Sequence, residues 1–273
     1  MDPAIIDPLI DIYSPRLGPF FTGFVRRVYS KDIQVYAERL TQYGFTGLPT
    51  VLDAGCGFGQ WSLALASLCG EVHSCDIADV RVDFVRDIAS AAAVPNLRVT
   101  RQDLTALGFP DAAFDAVFCY GVLFLMPWRE ALRELMRVTR PGGLLYVNAN
   151  GIGWYKHLWT TEHNRASDYD PREIAARALW NTLVYERGGV PRPGTDILIP
   201  PEELRGALAS GGFEDIRQSD EGLLGAVDPE AARARAFFQG HYGGDLGVYE
   251  VIARKRPSPV EDEHQDGHGA RHR

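Results

Sequence analysis

Apolar and polar positions follow two periods along the middle of this chain. Short apolar runs rich in Val, Leu, Phe and Cys occupy 50–54, 71–76, 97–102, 114–120 and 144–150 and predict buried strands. Between them the spacing turns helical, at roughly 59–69, 79–92 and 128–139. Val80, Phe84, Val85 and Ile88 fall on one face of the second of these helices, and Leu132, Leu135 and Met136 on one face of the third. Strand alternating with helix specifies a parallel sheet, because parallel neighbours need a crossover that a helix supplies. Pro141-Gly142-Gly143 is expected to break the chain sharply before the fifth strand.

The flanks differ. Ser30 is the expected cap of a helix carrying Ile33, Tyr36, Ala37, Leu40 and Tyr43, which Gly44 ends. Upstream, Tyr13, Phe20, Phe21, Phe24 and Tyr29 make an aromatic stretch that either packs on the outside of the domain or forms a lid. After the fifth strand, Asp170-Pro171-Arg172-Glu173 reads as a capping box for a helix that runs to about Arg187 and stops at Gly188-Gly189. Trp154, Tyr155, Trp159 and Trp180 belong to this segment, as a substrate surface or as its own core. A helix over Pro201–Ser210, a strand over 213–219 and a last strand over 248–254 complete the pattern, bringing the strands to seven. Five regions follow: a helical lid or extension (1–47), a core (48–150), a helical insertion on the substrate side (151–199), the rest of the core (200–255), and a tail (256–273) expected to be disordered. Its His264, His268 and His272 suit a solvated tail better than a metal site.

Composition narrows the functional classes. Of the 273 residues, 45% are hydrophobic and 11% aromatic, as in an ordinary globular core. No apolar run reaches the ~18–20 residues of a membrane span. The acidic, proline-bearing N-terminus does not look like a signal peptide, so a cytoplasmic protein is expected. Cys56, Cys69, Cys75 and Cys119 show no metal-pair spacing and read as small buried hydrophobes; no metal is expected. A net charge of −8 disfavours nucleic acid as partner. Homo-oligomerisation is left open.

The chemistry concentrates where the first strand runs into Asp53-Ala54-Gly55-Cys56-Gly57-Phe58-Gly59 and then into a helix. The glycines let backbone approach a ligand, and the helix start offers free N–H groups to a charged ligand end. A phosphate loop would need GxxxxGK[ST], and no lysine lies near this turn. A dinucleotide fingerprint would need glycine or alanine at position 60, which is Gln60. Asp76, closing the second strand, suits the two hydroxyls of a ribose in any adenosine ligand, while Asp79 is the better cap for the following helix.

Together with Asp103-Leu104, Phe114-Asp115-Ala116-Val117, Arg137-Val138 and Arg140-Pro141-Gly142-Gly143, the loop resembles the motif set of class I S-adenosylmethionine-dependent methyltransferases of the small-molecule, ubiquinone-biosynthesis type. Thr139 stands where that family usually has leucine. The resemblance covers about 48–150 and the 200–254 ending. It implies an α/β, Rossmann-like, seven-stranded, mostly parallel sheet flanked by helices, with a helical cap insertion after strand five. S-adenosylmethionine is the implied cofactor and a small molecule the implied acceptor. By that resemblance Gly55, Gly57 and Gly59 would face the methionine half, Asp76 the ribose, and Asp103 and Leu104 the adenine, with Asp53, Cys56, Trp61 and Ile77 also expected at the cofactor. Tyr120 would either lie beside the sulfonium or pack as a core tyrosine.

In such a family the protein mainly aligns acceptor, methyl and sulfur, and a base helps an acceptor that must lose a proton. His157 is the leading candidate base, with Tyr155 and His163 as alternates and His241-Tyr242 behind them; a packed or surface role for His157 is the competing reading. Cys119-Tyr120-Gly121-Val122 lacks the Pro-Pro-aromatic run of amino-methylating nucleic-acid enzymes. Glu130 and Glu134 lie on a helix rather than in the double-glutamate loop of arginine methyltransferases, and Asn148 and Asn150 alone do not make a magnesium site. Two other functions remain to be weighed: a cofactor-binding regulatory module without turnover, and an NAD-dependent oxidoreductase, against which Gln60 and the RPGG segment argue.

Overall fold

The computed structural model describes residues 2–257, so the expectation for the tail and its three histidines lies, beyond residue 257, outside the described residues. Seven strands form one sheet: β1 (Thr50–Ala54), β2 (Glu71–Asp76), β3 (Leu97–Arg101), β4 (Phe114–Cys119), β5 (Thr139–Asn150), β6 (Phe213–Asp220) and, after the two-residue strands β7 (His241–Tyr242) and β8 (Asp245–Leu246), β9 (Val248–Lys255). Their order is β3-β2-β1-β4-β5-β9-β6; β9 runs antiparallel to both β5 and β6, and the other neighbours are parallel. The order reverses between β1 and β4, which opens a crevice at the strands' C-terminal ends.

Both faces of the sheet are covered, which is why its strands read as continuous apolar runs. Helices α1 (Pro3–Tyr29), α2 (Ile33–Tyr43), α3 (Gln60–Leu68) and α4 (Asp79–Ala91) cover one face, and α5 (Trp128–Val138) and α8 (Pro201–Ser210) the other. Successive residues of β4 divide accordingly: Ala116 and Phe118 join the first core, Val117 and Cys119 the second. Between β5 and α8 lie α6 (Ile152–Thr161) and α7 (Pro171–Glu186), and α9 (Pro229–Arg235) follows β6.

Three local expectations need correction. Ser30 does not cap α2; its N–H still bonds Arg26 O as the end of α1, and Asp32 caps α2 by accepting the Gln34 N–H at 3.0 Å. Asp79 is the first residue of α4 rather than its cap; the cap position is Ala78, whose N–H is held by Asp76. β5 begins at Thr139, five residues early, because Thr139 pairs with Phe114 before the register jumps to Ala116↔Leu144 around Pro141-Gly142-Gly143. Gly143 lies against the Asp115 and Arg140 carbonyls, where a side chain has no room.

Asp170 caps α7 as expected, at 2.9 Å from the Arg172 N–H, although Glu173 pairs with Arg177 instead of closing the box. Helix α6 was not expected. Gly153 lets it press against the Asp245 and Leu246 carbonyls of the β7–β8 hairpin. Helix α1 is broken at Gly18 (φ 78°), and Pro19 starts its second half. There Asp168 from the turn before α7 takes the Phe20 N–H at 3.0 Å, and Phe20 stacks on Tyr169 at 4.0 Å.

Phe118 is fully buried between Trp61, Phe45 and Tyr146. Phe118→Ala is expected to lower the unfolding free energy by about 3–5 kcal/mol in urea titrations; a loss below about 1 kcal/mol would mean that this aromatic row does not hold the sheet to α3.

Candidate functional site

The glycine loop is tied down at its base and open at its rim. Gly55 and Cys56 donate their N–H groups to Cys75 O, each at 2.8 Å, and Gly57 donates to Asp76 Oδ2 at 3.1 Å. All three glycines have positive φ; a Cβ on Gly55 would collide with Val122, whereas one on Gly57 would point into open space. No side chain caps α3, so its first N–H groups stay available to a ligand. Asp53 lies beneath this rim. It is 2% exposed, accepts the Ser62 hydroxyl at 2.6 Å, and burial pushes its pKa up to about 7. It therefore braces the start of α3. Cys56 and Trp61 are buried too, and their side chains serve packing while their backbone belongs to the loop.

Asp76 is more engaged than expected. Its Oδ1 holds Ala78 N–H at 2.9 Å, and its Oδ2 faces both Gly57 N–H and, at 3.5 Å, Arg81. The Arg81 guanidinium lies over Phe21 and Phe58, 5.0 and 5.6 Å from their centroids. The second half of α1 thus reaches the loop, with Phe21 and Phe24 on Phe58 and the Tyr29 hydroxyl on Phe58 O at 2.6 Å. Its first half packs on α4 through Tyr13, Phe84 and Asp87. The aromatic stretch therefore both coats the domain and covers the loop. Beyond Asp76, Ile77 is 57% exposed, an apolar side chain partly open to solvent. Asp103 uses one oxygen on the Thr105 N–H and hydroxyl, and the Leu104 side chain anchors in the core.

The edge turns from loop to cavity at Tyr120. Its hydroxyl donates to Glu221 Oε1 at 2.8 Å, and Glu221 Oε2 accepts the N–H groups of Phe237 and Phe238 at 3.0 and 3.2 Å. Those phenylalanines, with His157, His163, Asp220, Tyr242 and others, line a cavity of about 600 Å³. The His157 ring stacks on Tyr242 at 4.1 Å and lies 5.2 Å from that of His163. Burial lowers both imidazole pKa values, and for His163 the neighbouring His157 and Arg27 add to it, so both rings are neutral at pH 7. Among the described residues no group of three or more His, Cys, Asp or Glu is arranged to hold a metal ion, and no helix is long and apolar enough to cross a membrane.

A family model described as "Methyltransferase domain" matches residues 51–143. The demethylmenaquinone methyltransferase of Shouchella clausii is 32% identical over 174 residues, covering 61% of this chain and 71% of that protein. The chain belongs to the class I S-adenosylmethionine-dependent methyltransferases. The match to the protein of the same name from Geobacillus kaustophilus is shorter, 31% identical over 97 residues, so that 34% of this chain spans 42% of that relative. Among solved structures, the [4+2]-cyclase SpnF superposes on this methyltransferase with a TM-score of 0.54 at 22% identity, over 82% of this chain and 81% of that one. A likeness of that degree shows the fold alone, and the reaction has to be argued from the site.

Family membership removes the NAD-dependent reading. It also sets which parts of this methyltransferase were visible in its sequence. The glycine loop, Asp76, Ile77, Asp103 and Tyr120 gather along one edge; His157 and His163 meet on the cavity wall with His241 and Tyr242. Tyr155 does not join them. It is 1% exposed, faces Asn150 and Asp196, and burial pushes its hydroxyl far up, which sets it away from the cavity wall and its candidate base. Trp159 and Trp180 are 53% and 69% exposed and line neither site, whereas Trp154 stacks edge-on against Phe238 and His163. Glu221, Phe237 and Phe238 were missed altogether.

Asp53 yields a pH test. Its folded pKa of about 7 lies above the ordinary 3.8, so its contribution to stability is full below the unfolded pKa and is lost as pH rises through the folded one. Asp53→Asn should therefore flatten the decline of unfolding free energy between about pH 4 and about pH 7; an unchanged slope would show Asp53 to be ionised in the folded protein.

Proposed function

We propose that this methyltransferase binds S-adenosylmethionine along the C-terminal edge of β1–β4 and methylates a small, ring-bearing organic acceptor in the cavity behind Phe237 and Phe238. One observation carries the reading: Glu221 ties the cavity wall to Tyr120, at the end of the strand beside the glycine loop. The cavity, about 600 Å³, lies within the range that small-molecule sites occupy. Its phenylalanines, tyrosine and neutral imidazoles suit an aromatic or quinone-like ring, in keeping with relatives named for demethylmenaquinone. A net charge of −8 favours such an acceptor over nucleic acid. The cytoplasmic setting read from the sequence is part of the same proposal.

The residues present fit the cofactor. Gly57 faces open space, the start of α3 is uncapped, and Ile77 offers a partly exposed apolar side chain. The backbone of Gly55, Cys56, Gly57 and Gly59 and the first N–H groups of α3 would hold the charged methionine end. Asp76 would take the ribose hydroxyls as Arg81 swings off it, Ile77 would pack on the adenine, and the free oxygen of Asp103 with the backbone of Leu104 would read the adenine edge. When bound, the cofactor supplies a methyl group activated on a sulfonium. The chain contributes alignment, exclusion of water under α1 and the insertion, and a base. His157, neutral and on the cavity wall, accepts the acceptor's proton where one must leave, with His163 beside it as alternate.

The test is release of S-adenosylhomocysteine on adding quinols, phenols and ring-bearing amines. Binding of the cofactor without release across such a panel would favour a silent binding module. Asp76→Ala should weaken S-adenosylmethionine binding by roughly 1.5–3 kcal/mol in calorimetry, and unchanged affinity would confine Asp76 to holding the loop. His157→Ala should lower kcat by about 10²-fold or more with little change in cofactor affinity; wild-type turnover would remove it as the base.

A further inference from the structure

The charged groups on the wall of the acceptor cavity are unequally served. Its two carboxylates both have partners. Glu221 takes the Arg39 guanidinium at 2.6 Å, together with the Tyr120 hydroxyl and the Phe237 and Phe238 N–H groups. Asp220 faces the His241 ring, with Nδ1 at 3.4 Å, and Gly240 leaves room for its carboxyl, since a Cβ there would collide with it. Arg233, near the end of α9, is different. Among the described residues it is the cavity's one arginine or lysine, and no carboxylate lies in ion-pair range of its guanidinium. Even Glu230, one turn earlier on α9, does not reach it, while the nearby Arg235 is taken by Glu38 at 3.5 Å, away from the cavity lining.

Two further cations stand close by. The Lys31 ammonium lies 5.0 Å from the centroid of Phe237, on the cavity wall, and Arg27 is near enough to His163 to lower its imidazole pKa. Neither has an ion-pair partner among the described residues. In a chain of net charge −8, positive groups without partners thus gather around one cavity. A cleft with apolar walls focuses such a field and draws in an anion. The planar fork of a guanidinium matches a carboxylate, taking both oxygens at once. A doubly charged group such as a phosphate suits the wall less, because Asp220 and Glu221 stand on it too.

We propose that the acceptor is a ring-bearing carboxylic acid, and that Arg233 binds its carboxylate while the ring lies against Phe237, Phe238 and Tyr242. The inference rests on the acceptor cavity proposed above and names the chemistry that this cavity selects. An acceptor held at one end by its charge and along its length by aromatic walls has few ways to sit. Restricting orientation in this manner is what methyl transfer asks of the chain. Lys31 and Arg27 add attraction at longer range, which salt screens.

The test is calorimetric affinity of the protein, loaded with S-adenosylhomocysteine, for benzoate, naphthoate and indoleacetate, each set against its neutral primary amide. Wild type should bind at least one acid more tightly than its amide, by about tenfold or more, as a charge-assisted hydrogen bond provides. The gap should narrow as salt is raised. Arg233 is exposed, so Arg233→Gln should fold normally; it should abolish the preference and leave affinity for the amide unchanged. Arg233→Lys should restore part of the preference, as a point charge without the fork. Arg235→Gln, on the same helix but outside the cavity lining, should keep it in full. Phe238→Ala, which trims the ring's wall, should weaken acid and amide alike. Equal binding of acids and amides by wild type, or a preference that survives Arg233→Gln, would overturn the carboxylate proposal and leave the acceptor cavity standing. Failure of wild type to bind any acid or amide would overturn both.

Discussion

A guanidinium taken out of water must find acceptors, and Arg39 finds them in Glu221 and the Tyr43 hydroxyl, with the Glu250 carboxyl 3.7 Å away. With the Tyr120 hydroxyl on Glu221, those contacts tie together four parts of the chain that are distant in sequence: α2, the end of β4, the start of β9 and the segment after β6. Removing one partner would leave a charge buried without compensation, which is far more costly than the pair is worth in place. The arrangement is therefore best understood as fixing geometry. It sets the Tyr120 edge of the cleft against the Phe237–Phe238 wall of the cavity, and transfer between two bound molecules is sensitive to such spacing.

The same edge is closed from above by parts that come from both ends of the chain's core. The second half of α1 covers the glycine loop with Phe21 and Phe24, and it is joined to the insertion by Asp168 on the Phe20 N–H and by Tyr169 on the Phe20 ring. The break at Gly18 leaves the two halves of α1 with separate duties, one on α4 and one on the loop. Arg81 belongs to this closure, since it spans Asp76 and the ring faces of Phe21 and Phe58.

Much of this could be read from local sequence. Strands buried on both faces show as apolar runs, and the loop's glycines announce positive φ, so the core and the shape of the glycine loop were legible. Local signals misled where an element continued past its cue: Ser30 looked like a cap, but α1 runs through Tyr29 and leaves Asp32 to do it. Helix α6 was invisible because its aromatics serve two neighbours at once and give no single apolar face. The Glu221 network could not be read from spacing, because its members meet only through the order of the sheet. One signal was available: Glu250 interrupts the apolar run VYEVIAR, and a charge inside a buried strand calls for a partner. Trp159 and Trp180 show the converse limit, since aromatic content alone did not reveal which side of the insertion faces solvent.

The central claim is that cofactor edge and acceptor cavity meet at Tyr120 and Glu221. A crystal structure of the protein with S-adenosylhomocysteine tests it most directly. The account predicts the ligand's methionine end on the glycine loop and its sulfur beside the Tyr120 ring, with the cavity behind Phe237 and Phe238 open toward it. A ligand bound elsewhere, or a sulfur walled off from that cavity, would contradict it.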